Sequence, residues 1–214
     1  MPTVQTLLLT LTLGTCWAYE GQKCDAKHIA KRLGFNPDSW KLINRDHPKY
    51  HLMFYSNGSL PSMYKCLCTT TSNDKAGQKY LKNVKFHYSP NETTIYHGTD
   101  TVWSIKTDPY YVYDNALNAT YFVRKSISKI DYTKMFSVSQ VIFAYDKCIV
   151  LESELLGYQV WVRTYYLRKY KTIPYVCTFI YEACAGTNKK WVYDWSHCPK
   201  TTYKLPENTE PLPT

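Results

Sequence analysis

Three runs past the middle of the chain decide the fold: Val138-Ser139-Gln140-Val141-Ile142-Phe143-Ala144-Tyr145, Cys148-Ile149-Val150-Leu151 and Tyr158-Gln159-Val160-Trp161-Val162-Arg163-Thr164-Tyr165-Tyr166. Each is rich in β-branched and aromatic residues, and only Asp146-Lys147 and the stretch from Glu152 to Gly157 separate them. Such runs with such breaks read as strands joined by hairpins. Upstream the same pattern covers His51 to Ser56, Tyr64 to Thr71, Tyr80 to Tyr88, Thr93 to His97, Thr101 to Lys106, Tyr110 to Tyr113 and Thr120 to Ile127. Consecutive short strands make an antiparallel meander, which loses its unpaired edges by closing into a barrel.

Helices flank the meander. Asp25 to Gly34 fits a short one, with Ile29, Ala30 and Leu33 on one face, Asp25 near its start and Gly34 past its end. Asp38-Ser39-Trp40 fits a second turn. Ile173-Pro174-Tyr175-Val176-Cys177 begins a late helix that Gly186 ends, and Trp191 to Trp195 reads as a returning strand. The expected class is all-β: an eight-stranded antiparallel barrel with a short N-terminal and a C-terminal helix, wide enough inside for one small ligand.

The chain opens on Leu7-Leu8-Leu9-Thr10-Leu11-Thr12-Leu13, too short to span a bilayer, followed by Cys16-Trp17-Ala18. Residues 1–18 read as a signal peptide, although no basic side chain precedes the apolar run. Residues 19–200 then form one domain, and Thr201 to Thr214, with three prolines, reads as a disordered tail. No other run is long enough for a membrane span. The expectation is a secreted, extracellular monomer.

The eight cysteines fit that route. Removal of the leader takes Cys16 and leaves Cys24, Cys66, Cys68, Cys148, Cys177, Cys184 and Cys198, enough for three bridges and one thiol. Cys66-Leu67-Cys68 is a poor metal-ligand spacing, and His47 with His51 is interrupted by Pro48, so no metal is expected. Sequons at Asn57, Asn91 and Asn118 are glycosylation candidates and mark those segments as surface loops. The net charge of +9 is dispersed except around Arg163, Arg168, Lys169 and Lys171. It reads as a solvated basic surface, with anionic ligands or glycosaminoglycans as the other possibility; nucleic acid is not an expected partner of a secreted chain. No nucleophile motif such as G-x-S-x-G occurs, and neither an enzymatic activity nor a cofactor is expected.

Several short motifs, in order, are similar to one family. Ser39-Trp40-Lys41, Tyr145-Asp146-Lys147-Cys148-Ile149-Val150-Leu151, Tyr158-Gln159-Val160-Trp161, the set Pro174, Cys177, Phe179, Cys184 and Gly186, and finally Tyr193-Asp194 with Cys198 resemble the tick salivary lipocalins that include the histamine-binding proteins. The resemblance runs over nearly the whole mature chain, without the general lipocalin Gly-x-Trp signature. It implies a lipocalin barrel that sequesters a small host mediator, a biogenic amine such as histamine or a fatty-acid derivative such as a leukotriene, and so aids evasion of host defence. The alternative it implies is a host-protein binder, a complement or immune-cell modulator acting through surface loops. It also implies the bridges Cys66–Cys198, Cys148–Cys177 and Cys24–Cys184. Cys68 is left to exchange with Cys66, stay a buried thiol or join two chains.

The family's amine binders line the cup with carboxylates, and here the corresponding positions are Ile149, Gln159 and Asn57, with Leu60 in place of a Trp. Period two puts Gln159, Trp161, Arg163 and Tyr165 on one face. If that face is the inner one, as the resemblance implies, Arg163 enters the cup and favours an anion; otherwise it sits in solvent on the basic patch. Trp40, Trp103, Gln159, Trp161 and Arg163 are the candidate ligand contacts, with the fatty-acid derivative ahead of the amine. Should an amine bind instead, Asp100, Asp114 or Glu152 would have to supply the inward carboxylate.

Overall fold

The structure is a computed structural model, and it describes residues 24–44, 49–71, 79–124 and 132–199. The expected leader, His47 and the tail from Thr201 lie outside these. Helix α1 (Ala26–Leu33) is capped by the Asp25 side chain, which accepts from the Lys27 amide, and ends on left-handed Gly34. Helix α2 (Ser39–Asn44) follows, then strands β1 (Lys49–Tyr55), β2 (Cys68–Thr71), β3 (Leu81–Tyr88), β4 (Tyr96–Ile105), β5 (Ala116–Arg124), β6 (Tyr132–Tyr145), β7 (Cys148–Ser153) and β8 (Gly157–Arg163). All eight pair antiparallel with their sequence neighbours, and β1 pairs with both β8 and β2, which closes the barrel. Two helices, α3 (Thr164–Tyr170) and α4 (Tyr175–Ala185), and a two-residue strand β9 (Lys190–Trp191) on β1 complete the described chain.

Most of the expected elements are present, with instructive differences, and residues 125–127 of the expected strand Thr120 to Ile127 lie outside the described residues. Tyr110 to Tyr113 is a turn, because the Asp108 carboxylate accepts from the Tyr110 amide at 2.8 Å and so offers the backbone a local partner. Thr93 to His97 and Thr101 to Lys106 are not two strands: Asn91 ties up the amides of Thr93 and Thr94, and β4 runs on from Tyr96 in one piece. The run from Tyr64 starts as strand only at Cys68, after Cys66 at φ 55°. Tyr158 to Tyr166 is cut at Arg163, where the burial of Thr164 and Leu167 and the stacking of Tyr166 on Tyr170 set a helical period instead. The returning strand keeps only Lys190 and Trp191. The Asn118 sequon falls inside β5, on the outer face between Trp103 and Val138, rather than in a loop; Asn57 and Asn91 lie in exposed loops.

The main core lies outside the barrel, not within it. Met53, Phe54, Cys148, Val150, Tyr158, Val160 and Val162 face outward under α4, α1 and the C-terminal segment. Bulges after Leu52 and Val141 turn pairs of consecutive residues, Met53 with Phe54 and Ile142 with Phe143, to that outer layer. Tyr181 of α4 meets the Phe54 ring at 4.8 Å and donates its hydroxyl to the Asn188 carbonyl. Disulfides Cys148–Cys177, Cys24–Cys184 and Cys66–Cys198 join barrel, α1, α4 and C-terminal segment, the pairs that the resemblance implies. Cys68 is buried on β2, outside the three bridges.

Replacing Cys24 and Cys184 together by alanine should lower stability by roughly 2–4 kcal/mol, because a link closing a long loop is lost. Urea unfolding monitored by tryptophan fluorescence checks this; an unchanged midpoint would mean that the bridge adds nothing to α1 docking.

Candidate functional site

The pairing register fixes which side chains face the barrel interior. Tyr50, Leu52 and Tyr55 of β1 oppose Arg163, Trp161 and Gln159 of β8, and these oppose Ile149 and Leu151 of β7 in turn. The inner face continues through Val141 and Ser139 to Leu117 and Ala119, then Val102, Asp100 and Gly98, and Val84 and Phe86. Gln159 and Trp161 therefore face inward. Helix α2 closes the end where β1 begins: the Ser39 amide donates to the Asp114 carbonyl, its hydroxyl meets that of Ser104 at 2.7 Å, and Leu42 packs on Tyr50, Ile149 and Leu151. The hairpin loops β1–β2, β3–β4 and β7–β8 surround the opposite end.

Of the five candidate contacts, the structure joins two. The Trp161 indole donates to Gln159 Oε1 at 3.1 Å, and Gln159 Nε2 donates to Ser153 Oγ at 2.8 Å, which also receives the Leu156 amide. Gln159 thus orients Trp161 between two apolar clusters that contain Leu52, Leu151 and Leu156. Leu60 covers the same Trp161 cluster from the β1–β2 loop. Arg163 lies at the closed end: its guanidinium donates to Asp146 of the β6–β7 turn at 2.9 Å and lies over Tyr165. Trp40 is also at that end, edge-on to Tyr80. Trp103 is on the outer face, against Phe136, because β4 presents its odd-numbered residues outward.

Of the three other carboxylates, Glu152 faces outward beside Tyr158, and Asp114 accepts from Ser104 beneath α2. Asp100 faces inward, beside Val84 on β3. Burial raises its carboxyl to about 6. It has no hydrogen bond or ion pair among the described residues; Lys82, on the same face, instead stands over the Trp40 ring at 5.9 Å. Toward the open end Phe86 lies on Gly98, where a Cβ would come within 2.0 Å of the ring and push it aside. Tyr88 and Tyr96 stack at 5.2 Å on the same face of the hairpin. A partnerless inward carboxylate, with the Phe86 ring at the next inward position of the neighbouring strand, is a cation-receptive arrangement. The sequence marks Asp100 only weakly, since Thr99 and Thr101 on either side give no polar–apolar alternation.

A family model described as tick histamine binding protein matches residues 29–200. No curated protein matches in a comparison of sequences. The crystal structure of an AM182 serotonin complex is similar with a TM-score of 0.51 at 13% identity, covering 76% of this chain and 92% of that one. Japanin from Rhipicephalus appendiculatus bound to cholesterol gives a TM-score of 0.45 at 15% identity, covering 68% and 92%. At such identities the first likeness carries the fold alone.

Two substitutions test this geometry. Gln159→Glu replaces a buried donor with a carboxylate and should cost roughly 1–3 kcal/mol in urea unfolding; no change would show that the Ser153 contact is dispensable. Asp100→Asn should stabilise the empty protein at neutral pH. A carboxyl whose folded value is raised disfavours folding above about 6 and is neutral to it below the ordinary 3.8. The thermal midpoint should therefore rise at pH 7 and match wild type at the acid end of that window. An equal gain at both ends would mean that Asp100 is not the group responsible.

Proposed function

The chain belongs to the tick histamine binding protein family, and from that premise we propose that its barrel takes up and sequesters a small host mediator, an aromatic amine in preference to a fatty-acid anion. The family is one of ligand binders, not enzymes. The carrying observation is Asp100, an inward carboxylate that no other described side chain satisfies. Taking a cation out of water costs several kcal/mol unless an opposite charge or aromatic faces replace its hydration. Asp100 supplies the charge, and Phe86 on the neighbouring strand supplies a face.

The anionic reading has less support in this geometry. The cation on which it depends, Arg163, is engaged by Asp146 at the closed end. The apolar wall of Leu52, Leu151 and Trp161 serves either ligand, since each buries a hydrocarbon body at about 25 cal/mol per Å². Three disulfides and the family membership support secretion, with residues 1–18 as leader and Asn57 and Asn91 as the glycan sites best exposed.

Calorimetric titration with serotonin, histamine and a leukotriene tests the proposal. An amine should bind most tightly, and Asp100→Asn should weaken it by roughly ten- to a hundredfold, the loss of one charge-assisted contact. Amine affinity should also fall as the pH drops below about 6, where Asp100 takes up a proton. Tighter leukotriene binding that is indifferent to Asp100→Asn would overturn the preference for an amine.

A further inference from the structure

A cavity lies outside the barrel, on the outer face of the wall to which β1 contributes Leu52 on the inner side. It measures about 340 Å³ and sits between β1, helix α3 and the C-terminal segment. His51 of β1, paired with Cys68 of β2, lines it from the outer face. Leu167 and the edge of Tyr193, whose ring centre is 5.3 Å from that of His51, give it an apolar lining. Trp195 forms a further wall, and Arg168 and Lys171 bring positive charge. No acidic side chain is among the described lining residues.

His51 is only 2% exposed, and neither ring nitrogen has a hydrogen-bond partner among the described residues. Burial, and after it the positive charge of Arg168, repulsion from His87 when that ring is protonated, and the charge of Lys49, pushes the imidazole down to about 3, so it is neutral. A neutral imidazole presents one N–H donor and one lone pair. Leaving such buried groups unpaired is costly, and folded proteins seldom do so without a use for them. A phenylalanine of the same outline would avoid the cost altogether. A hydroxyl group, which donates and accepts, is the smallest ligand feature that answers either tautomer.

We propose that this cavity is a second binding site, separate from the barrel, for a small aromatic carboxylate that carries a hydroxyl group. The carboxylate faces Arg168 and Lys171, the ring lies against Leu167 and Trp195, and the hydroxyl bonds to His51. The site does not depend on what the barrel holds.

The probe is 4-hydroxyphenylacetate, titrated into the oxidised full-length secreted protein while the imidazole and indole ¹H–¹⁵N signals are followed. Saturable shifts are expected at His51 and Trp195, unaltered by Asp100→Asn. His51→Phe and Lys171→Gln should each weaken binding by roughly tenfold or more. His51→Phe keeps the ring volume and removes the unpaired nitrogens, and Lys171 is exposed, so both variants should fold. Tyramine has the same ring and hydroxyl with the opposite charge, and it should leave His51 unmoved. The proposal falls if His51 shows no shift up to about 10 mM acid. It falls equally if tyramine shifts His51 as the acid does, or if His51→Phe and Lys171→Gln bind the acid as wild type does.

Discussion

Strand β1 must be paired along both edges, and nearly everything else in the molecule answers to that requirement. Its register with β8 on one side and β2 on the other closes the sheet, so Tyr50 and Leu52 are committed to the interior and His51 and Met53 to the exterior. Both faces of β1 are buried from Tyr50 to Tyr55. An exterior of this apolarity cannot meet water, and the C-terminal segment covers it: the amides of Val192 and Tyr193 donate to the Met53 carbonyl, and Cys198 is tied to Cys66 beside β2. The His51 cavity is the space left where that cover and α3 fail to meet over β1.

The barrel is consequently two-sided. On the side of β7, β8 and β1 the wall is double: an inner lining of Ile149, Leu151 and Trp161, and an outer layer in which Val150, Val160 and Phe54 meet α4. On the side of β3, β4 and β5, among the described residues, the helix that packs to any extent is α2, against β3 and β4 at the closed end. All three bridges belong to the first side or to its attachments. Asp100 and Phe86 belong to the second.

What the sequence reveals follows from where its periodicities are clean. Gln159, Trp161 and Arg163 alternate with Tyr158, Val160 and Val162, and the shared face is readable because nothing interrupts β8. Asp25 and Gly34 bracket α1 because caps are local chemistry. Across β1 and β6 the bulges spoil alternation, since Met53 and Phe54 both face out, and no composition rule announces a bulge. Helix α3 is concealed by its tyrosines, which favour strands until the buried spacing of Thr164 and Leu167 is seen. Arg163 is on the face that alternation gives it. Its engagement by Asp146 depends on the β6–β7 turn coming back beside the end of β8, which only tertiary structure supplies.

The one-sidedness of the outer layer has a consequence for how such a protein can change over generations. A substitution in the lining of β7 or β8 is felt through a packed second wall, so most alternatives there jeopardise folding along with specificity. Substitutions in β3 and β4 meet no such wall among the described residues, so a drifting lineage can alter the interior there, residue by residue, while the stapled half remains a fixed chassis.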